Sequence, residues 1–186
     1  MWETPWPAGL PCLICRLFQR CAQVLNLSSF ANGLGISVPT VKKWLSILES
    51  CMIIYLLHPY HNNSGKRVTK APKIYFMDCG LVCYLTGIKD RDHVMQGPRA
   101  GALFENSCVQ ETLKLYFNHG KQPNVYYLRT NNNLEIDLII EKSLEEIIPV
   151  EIKLNKTPSA RMVANMDRFR KIFSGVFWFA FQRKCF

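Results

Sequence analysis

The sequence predicts a mixed α/β (α+β) chain built from two modules. A helical half ending in a β-hairpin comes first, and a unit of order α-β-β-β-α-β follows. Three observations carry this reading. Val41, Trp44, Leu45 and Leu48 recur at helical spacing just after a glycine break at Gly35. Two β-rich runs, "MIIYLLHPY" and "KIYFMD", flank the polar, basic stretch "HNNSGKRVTK". Further on, three strand-like runs stand between two helical ones.

The chain has 186 residues, 48% hydrophobic and 20% charged, so a sizeable core is available and extended disorder is not expected. Pro5, Pro7 and Pro11 interrupt the first dozen residues. These predict no clear element and read as the remnant of an upstream module. The formal charge of +9 favours a polyanionic partner such as DNA. Eight cysteines sit mostly in apolar or helical surroundings with no secretory leader before them, which predicts reduced thiols in a cytoplasmic protein. Cys12-x-x-Cys15 has no well-spaced second pair, because Cys79-x-x-x-Cys83 fits a zinc site poorly. No run of 18 apolar residues occurs, so no membrane partner is expected.

In chain order, the spacing from Leu13 to Leu25 is helical. Asn26 or Ser28 is placed to cap a short helix that stops at Gly35. Ser37 caps the next, with Pro39 in its first turn. Two short helices about a glycine turn make a helix-turn-helix, and the hairpin after it makes a winged helix over 13–92. In the DNA-binding reading, Thr40, Lys42 and Lys43 of the second helix enter a groove, while Lys66, Arg67 and Lys70 at the hairpin tip meet phosphates. The bland reading is a solvated helix face on a protein-docking module. "SGKR" at 64–67 is not a nucleotide-binding loop, since position 60 is Tyr and position 67 is Arg. A short helix is expected over Gly80–Leu85, and the Gly97-Pro98 breaker marks a boundary near 92–98.

"RAGALFENSCVQETLKLYF" predicts a helix with Glu105 beside its apolar face and Glu111 in solvent. The strands "VYYLRT", "LEIDLIIE" and "IIPVEIKL" follow, then the helix "SARMVANMDRFRKIF", capped by Ser159, and the strand "GVFWFAF". Alternation puts Glu135, Asp137, Ile139 and Glu141 on one face of their strand. A hairpin symmetric about position 144 sets Asp137 opposite Glu151, with Cβ atoms about 5 Å apart. Two bare carboxylates at that range repel, and a divalent cation such as Mg²⁺ would resolve the conflict, with the Ile152 carbonyl as a third oxygen. The same register sets Glu135 against Lys153, which leaves an ordinary cross-strand ion pair open as the role of that lysine.

Asp137, followed after thirteen residues by Glu151-Ile152-Lys153, resembles the D…E-x-K signature of PD-(D/E)XK nuclease-like domains. Glu105 in "GALFEN" matches the acid that such domains often carry on their first helix. With "SVPTVKKWLSILESCMII", "KAPKIYFMDCGLVCYLTG" and "YYLRTNNNLEIDLII", the chain from about 13 to 180 resembles the C-terminal region of bacterial and archaeal AAA-type ATPases. There a winged helix is followed by a nuclease-like domain of restriction-endonuclease-like fold, here 98–186. The ATPase module itself is absent, so no ATPase activity is expected and the chain reads as a fragment. "NNNLEID" has Asn where glycine is usual before the Glu.

The resemblance implies metal-assisted hydrolysis of DNA phosphodiesters. Asp137 and Glu151 would hold the ion, Lys153 would steady the attacking water or the developing charge, and Glu105 would assist through water or a second ion. Arg129 would contact phosphate. The alternatives are a catalytically silent DNA- or protein-docking module that targets an ATPase, and a homodimer sealed by "VFWFAF".

Overall fold

The computed structural model describes residues 9–60, 69–130, 134–143, 146–154, 160–171 and 179–182. The protein is mixed α/β, with a two-stranded and a four-stranded sheet. Helix α1 (Gly9–Phe18) leads into α2 (Leu27–Leu34) and α3 (Val38–Ser50). Thus 9–12, expected to form no element, already belong to a helix. The helical spacing to Leu25 breaks at Phe18, after which 22–25 run beside a strand instead: Ala22 N donates to Ile74 O, and Ile74 N to Gln23 O.

The two short helices on either side of Gly35 form as their punctuation predicts. Asn26 Oδ1 accepts from Ser29 N at 3.0 Å and Ser37 Oγ from Thr40 N at 3.2 Å. Between the helices Gly35 lies at φ 65°, a left-handed position that costs a side-chain residue energy. A Cβ there would meet nothing within 4 Å. Gly35→Ala is therefore expected to lower stability by about 1 kcal/mol, read as a lower urea midpoint with unchanged slope. The stripe Val41, Trp44, Leu45 and Leu48 is buried and packs with Phe18 and Phe76, whose rings stack at 4.2 Å.

Strands β1 (Ile54–Leu57) and β2 (Lys73–Phe76) pair antiparallel. Helix α4 (Cys79–Leu85) is capped by Asp78, and α5 (Arg91–Gln96) occupies the polar stretch expected as a boundary. Helix α6 (Ala100–Asn118), β3 (Val125–Arg129), β4 (Glu135–Glu141), β5 (Ile147–Lys153), α7 (Ala160–Arg170) and β6 (Phe179–Gln182) follow among the described residues. The larger sheet has order β3-β4-β5-β6, with β6 parallel to β5 at the edge. Ser159 and residues 176–178 of "VFWFAF" lie outside the described residues.

The two halves share a core. Ala22, Leu57 and Tyr75 pack with Val109 and Leu113 of α6 and with Val125, Tyr127 and Leu138 of the larger sheet. Past β1 the chain runs alongside β3, where Tyr60 N donates to Tyr127 O at 2.7 Å and Tyr127 N to His58 O at 3.1 Å. A second core, with Phe169 and Met166 of α7, covers Ile136, Ile139 and Ile147.

Candidate functional site

The hairpin register is the one symmetry about 144 predicts: Leu138 pairs with Val150 and Glu141 with Ile147. Asp137 and Glu151 fall at the next step, where the ladder stops. Here the Asp137 side chain replaces the neighbouring backbone, and its Oδ2 accepts from Ile152 N at 2.9 Å. The N–H and C=O of one strand residue leave by the same edge, so the Ile152 carbonyl faces this side as well.

Strict alternation does not survive in β4. Tyr126 pairs with Ile139 but Leu128 with Ile136, which leaves Tyr127 opposite both Asp137 and Leu138. That extra residue is a β-bulge, a device that bends a strand and re-aims a side chain. Ile136 and Ile139 consequently pack in the same core, and the single face expected for Glu135, Asp137, Ile139 and Glu141 is split.

The bulge sets Asp137 between two ammonium groups. Lys153 Nζ lies 2.8 Å from Asp137 Oδ2 and 3.2 Å from Glu151 Oε1. The predicted pairing of Lys153 with Glu135 does not form. Glu135 turns instead to Lys73, at 3.1 Å. Lys73 Nζ is also 3.1 Å from Glu105 Oε1 and 3.7 Å from Asp137 Oδ1. Glu105 further accepts from the Tyr75 hydroxyl at 2.6 Å. Lys73 is 2% exposed. It was not singled out in the sequence, because a lysine opening a β-rich run reads as an edge residue. Its signal was its place in that run: Lys73, Tyr75 and, across the adjoining core, Glu105 fall on one side of β2.

Burial opposes the Lys73 charge, but Glu105, Asp137 and Glu135 outweigh it and raise its pKa. Asp137 and Glu151 likewise outweigh burial at Lys153. Glu105 is raised by burial and by Asp137, against Lys73. Glu151 is raised from its ordinary 4.5 to about 7, by burial first and then by repulsion from Asp137. A carboxyl raised on folding holds its proton better in the native state. Its contribution to stability is therefore present at acid pH and lost as pH rises from about 4.5 to about 7. Without divalent ions, the wild type is expected to lose stability over this window by up to about 1.4 kcal/mol per pH unit, and Glu151→Gln to lose less. Urea midpoints at pH 5 and pH 8 check this, and equal losses would remove Glu151 as the source.

Four carboxyl groups face two ammonium groups here, an excess of two acids that becomes two negative charges only when all four are ionised. Glu151 is 3% exposed and its Oε2 has no hydrogen-bond partner. Among the described residues no three His, Cys, Asp or Glu side chains form a metal-holding group by themselves. Asp137 and Glu151, with the Ile152 carbonyl, are the groups that could hold an ion, and oxygen donors of this kind would suit Mg²⁺ or Mn²⁺ completed by water.

Of the residues expected to meet DNA, Lys42, Lys43, Lys70 and Arg129 are exposed, and Thr40 is half-buried with its hydroxyl 2.8 Å from Ser37 Oγ. Thr69 N donates to Arg129 O at 2.9 Å, which brings Lys70 and Arg129 together near Glu135, the cross-strand partner of Arg129. Lys42 and Lys43 belong to a separate helix face, and Lys66 and Arg67 lie outside the described residues. Cys15, Cys21, Cys51, Cys79, Cys83 and Cys108 are free, and burial raises the thiol pKa of Cys21, Cys79 and Cys108, which suits packing groups. No described helix is long and apolar enough to cross a membrane.

No solved structure matches the chain. Two curated relatives, uncharacterized proteins of Mycobacterium bovis and Mycobacterium tuberculosis, are each 33% identical over 138 residues, 74% of this chain. The chain spans about 30% of the length of those relatives. Half by half, it is similar to the family described as "Domain of unknown function (DUF8612)" over residues 10–92 and to "Domain of unknown function (DUF4143)" over residues 100–179.

Proposed function

We propose that the chain is a winged helix joined to a PD-(D/E)XK nuclease-like domain of restriction-endonuclease-like fold, and that its acidic centre hydrolyses DNA phosphodiesters with the help of Mg²⁺ or Mn²⁺. One observation carries the reading: Asp137 and Glu151 meet where the β4–β5 ladder stops, with a buried, unpartnered oxygen on Glu151 and more carboxyl than ammonium groups in the cluster. The order α6-β3-β4-β5-α7-β6 fits that domain.

Asp137 and Glu151 would hold the ion, with the Ile152 carbonyl turned to the same side. When bound, the ion supplies Lewis acidity towards a phosphate oxygen and a more acidic water. Lys153 is 39% exposed at its side chain, so it can leave its carboxylates and donate to the phosphoryl oxygens as charge builds on them. Arg129 and Lys70, both exposed, would meet flanking phosphates and give binding its salt dependence. Glu105 does not face the ion in this arrangement. Its role is to hold Lys73.

The test is cleavage of supercoiled and single-stranded DNA by the full chain with Mn²⁺, against a chelator control and Glu151→Gln. Cutting that needs the ion and fails in the variant supports the reading. An absence of cutting, with salt-sensitive DNA binding retained, overturns it in favour of the second reading, a silent DNA- or protein-docking module that targets an ATPase. The observation favouring that second reading is that both lysines are already held by the site's own carboxylates, as in a structural ion cluster.

A further inference from the structure

Asp137 is shared between two cationic positions. Its Oδ2 serves Lys153 and the Ile152 N–H on the Glu151 side. Its Oδ1 turns the other way, to Lys73 at 3.7 Å. A carboxylate that divides its oxygens between two positive centres is the bridging ligand of a two-metal site, where the ions stand roughly 3.5–4 Å apart. In this chain one of the centres is an ammonium fixed in place. Lys73 Nζ has Glu105 and Glu135 each at 3.1 Å and lies 5.6 Å from the centre of the Tyr127 ring. At 2% exposure its side chain cannot swing into solvent as that of Lys153 can.

We propose that Lys73 is a built-in substitute for a second divalent cation, so that the centre takes a single ion, at the Asp137–Glu151 end. The inference rests on the metal reading of Asp137 and Glu151 and specifies its stoichiometry. It also makes the first module part of the second module's site. Lys73 belongs to β2, which is laced to α6 by Asn106 and Tyr75. Glu105 of α6 and Glu135 of β4 therefore keep their Lys73 partner only while that strand is docked, whereas Asp137 also has Lys153. Lys73 touches no substrate in this scheme. It is a positioning residue that fixes Glu105, Glu135 and one oxygen of Asp137.

The experiment is calorimetric titration of the full chain with Mn²⁺ alone, comparing wild type with Lys73→Met and Lys73→Arg, and circular dichroism reports the fold. The wild type should take one ion, Lys73→Arg one, and Lys73→Met two, because methionine keeps the bulk and removes the charge. A single ion in both wild type and Lys73→Met would overturn the substitution while leaving the metal reading intact, and two ions in the wild type would do the same. No binding in the wild type with one ion in Lys73→Met would uphold Lys73 as the stand-in and sink the Asp137–Glu151 ion. No binding in either sinks both. If Lys73→Met is unfolded without metal, Mn²⁺ must restore its helical signal, and a chain that stays unfolded at saturating Mn²⁺ overturns the inference.

Discussion

Asp137→Ala is expected to abolish Mn²⁺-dependent cleavage, a loss of about 10³-fold or more, while leaving the chain folded. The two halves of that expectation have separate causes. Asp137 is the one acid that reaches both ends of the cluster, through Oδ1 to Lys73 and Oδ2 to Lys153 and Ile152. Without Asp137 the ion would lose one of its two protein carboxylates, leaving Glu151 alone to hold it against water. A loss of 10³-fold corresponds to about 4 kcal/mol of transition-state stabilisation, within what a polarising ion supplies. The fold survives because each ammonium keeps another partner: Lys73 keeps Glu105 and Glu135, and Lys153 keeps Glu151. Removing Asp137 also removes the charge that helps push Glu151 up to about 7, so the pH-dependent loss of stability near neutrality should shrink. Cleavage kinetics and urea midpoints on one preparation test both halves. A variant that cuts as fast as the wild type would show that the activity resides elsewhere.

What the sequence made legible follows from where its information is local. Caps and breakers act within a turn, so Asn26, Gly35 and Ser37 were readable and hold the places expected of them. The β4–β5 register matches the hairpin assumed symmetric about 144, and that pairing brings Leu138, Ile140, Ile148 and Val150 into one core. The bulge at Asp137 was not, since it arises on the other side of β4, from pairing with β3, and no residue within β4 announces it. With it went the expected Glu135–Lys153 pair. Lys73 escaped because its partners are 32 and 62 or more residues away, and a one-dimensional pattern has no term for a lysine buried by acids from the other half of the chain. Asn106 was invisible for a like reason: on a helix whose apolar stripe runs through Leu103, Val109 and Leu113, an Asn between them reads as a polar neighbour.

That Asn106 carries the second large effect. It is fully buried, and its side-chain amide does for β2 what another strand would do. Along this edge Ile74 bonds to residues 22 and 23. Two residues on, Phe76 N donates to Asn106 Oδ1 at 2.7 Å and Phe76 O accepts from Asn106 Nδ2 at 3.0 Å. The amide therefore continues the ladder where the chain segment 22–25 has left it. Asn106 also takes the Cys21 thiol at 3.1 Å and donates to Cys79 Sγ at 3.1 Å. Asn106→Leu keeps the volume but strands a buried N–H and a buried C=O, each costing about 1–3 kcal/mol. The expected loss is about 2–6 kcal/mol, against a total stability on the order of 5–15 kcal/mol for a domain. Gln110→Leu makes the comparison. Gln110 serves one backbone carbonyl, that of Met77 at 2.6 Å, so about half the loss is expected. Because Asn106 sits one residue from Glu105 on the helix that meets β2, its loss should also loosen Lys73 in its acid cage. Proteolysis between the halves should then rise before the chain unfolds. Urea midpoints for the two variants and a limited digest of Asn106→Leu measure this. A midpoint within 0.5 kcal/mol-equivalent of wild type, about the size of an ordinary surface change, would mean that the Phe76 backbone finds another partner and that Asn106 is not what holds the two halves together.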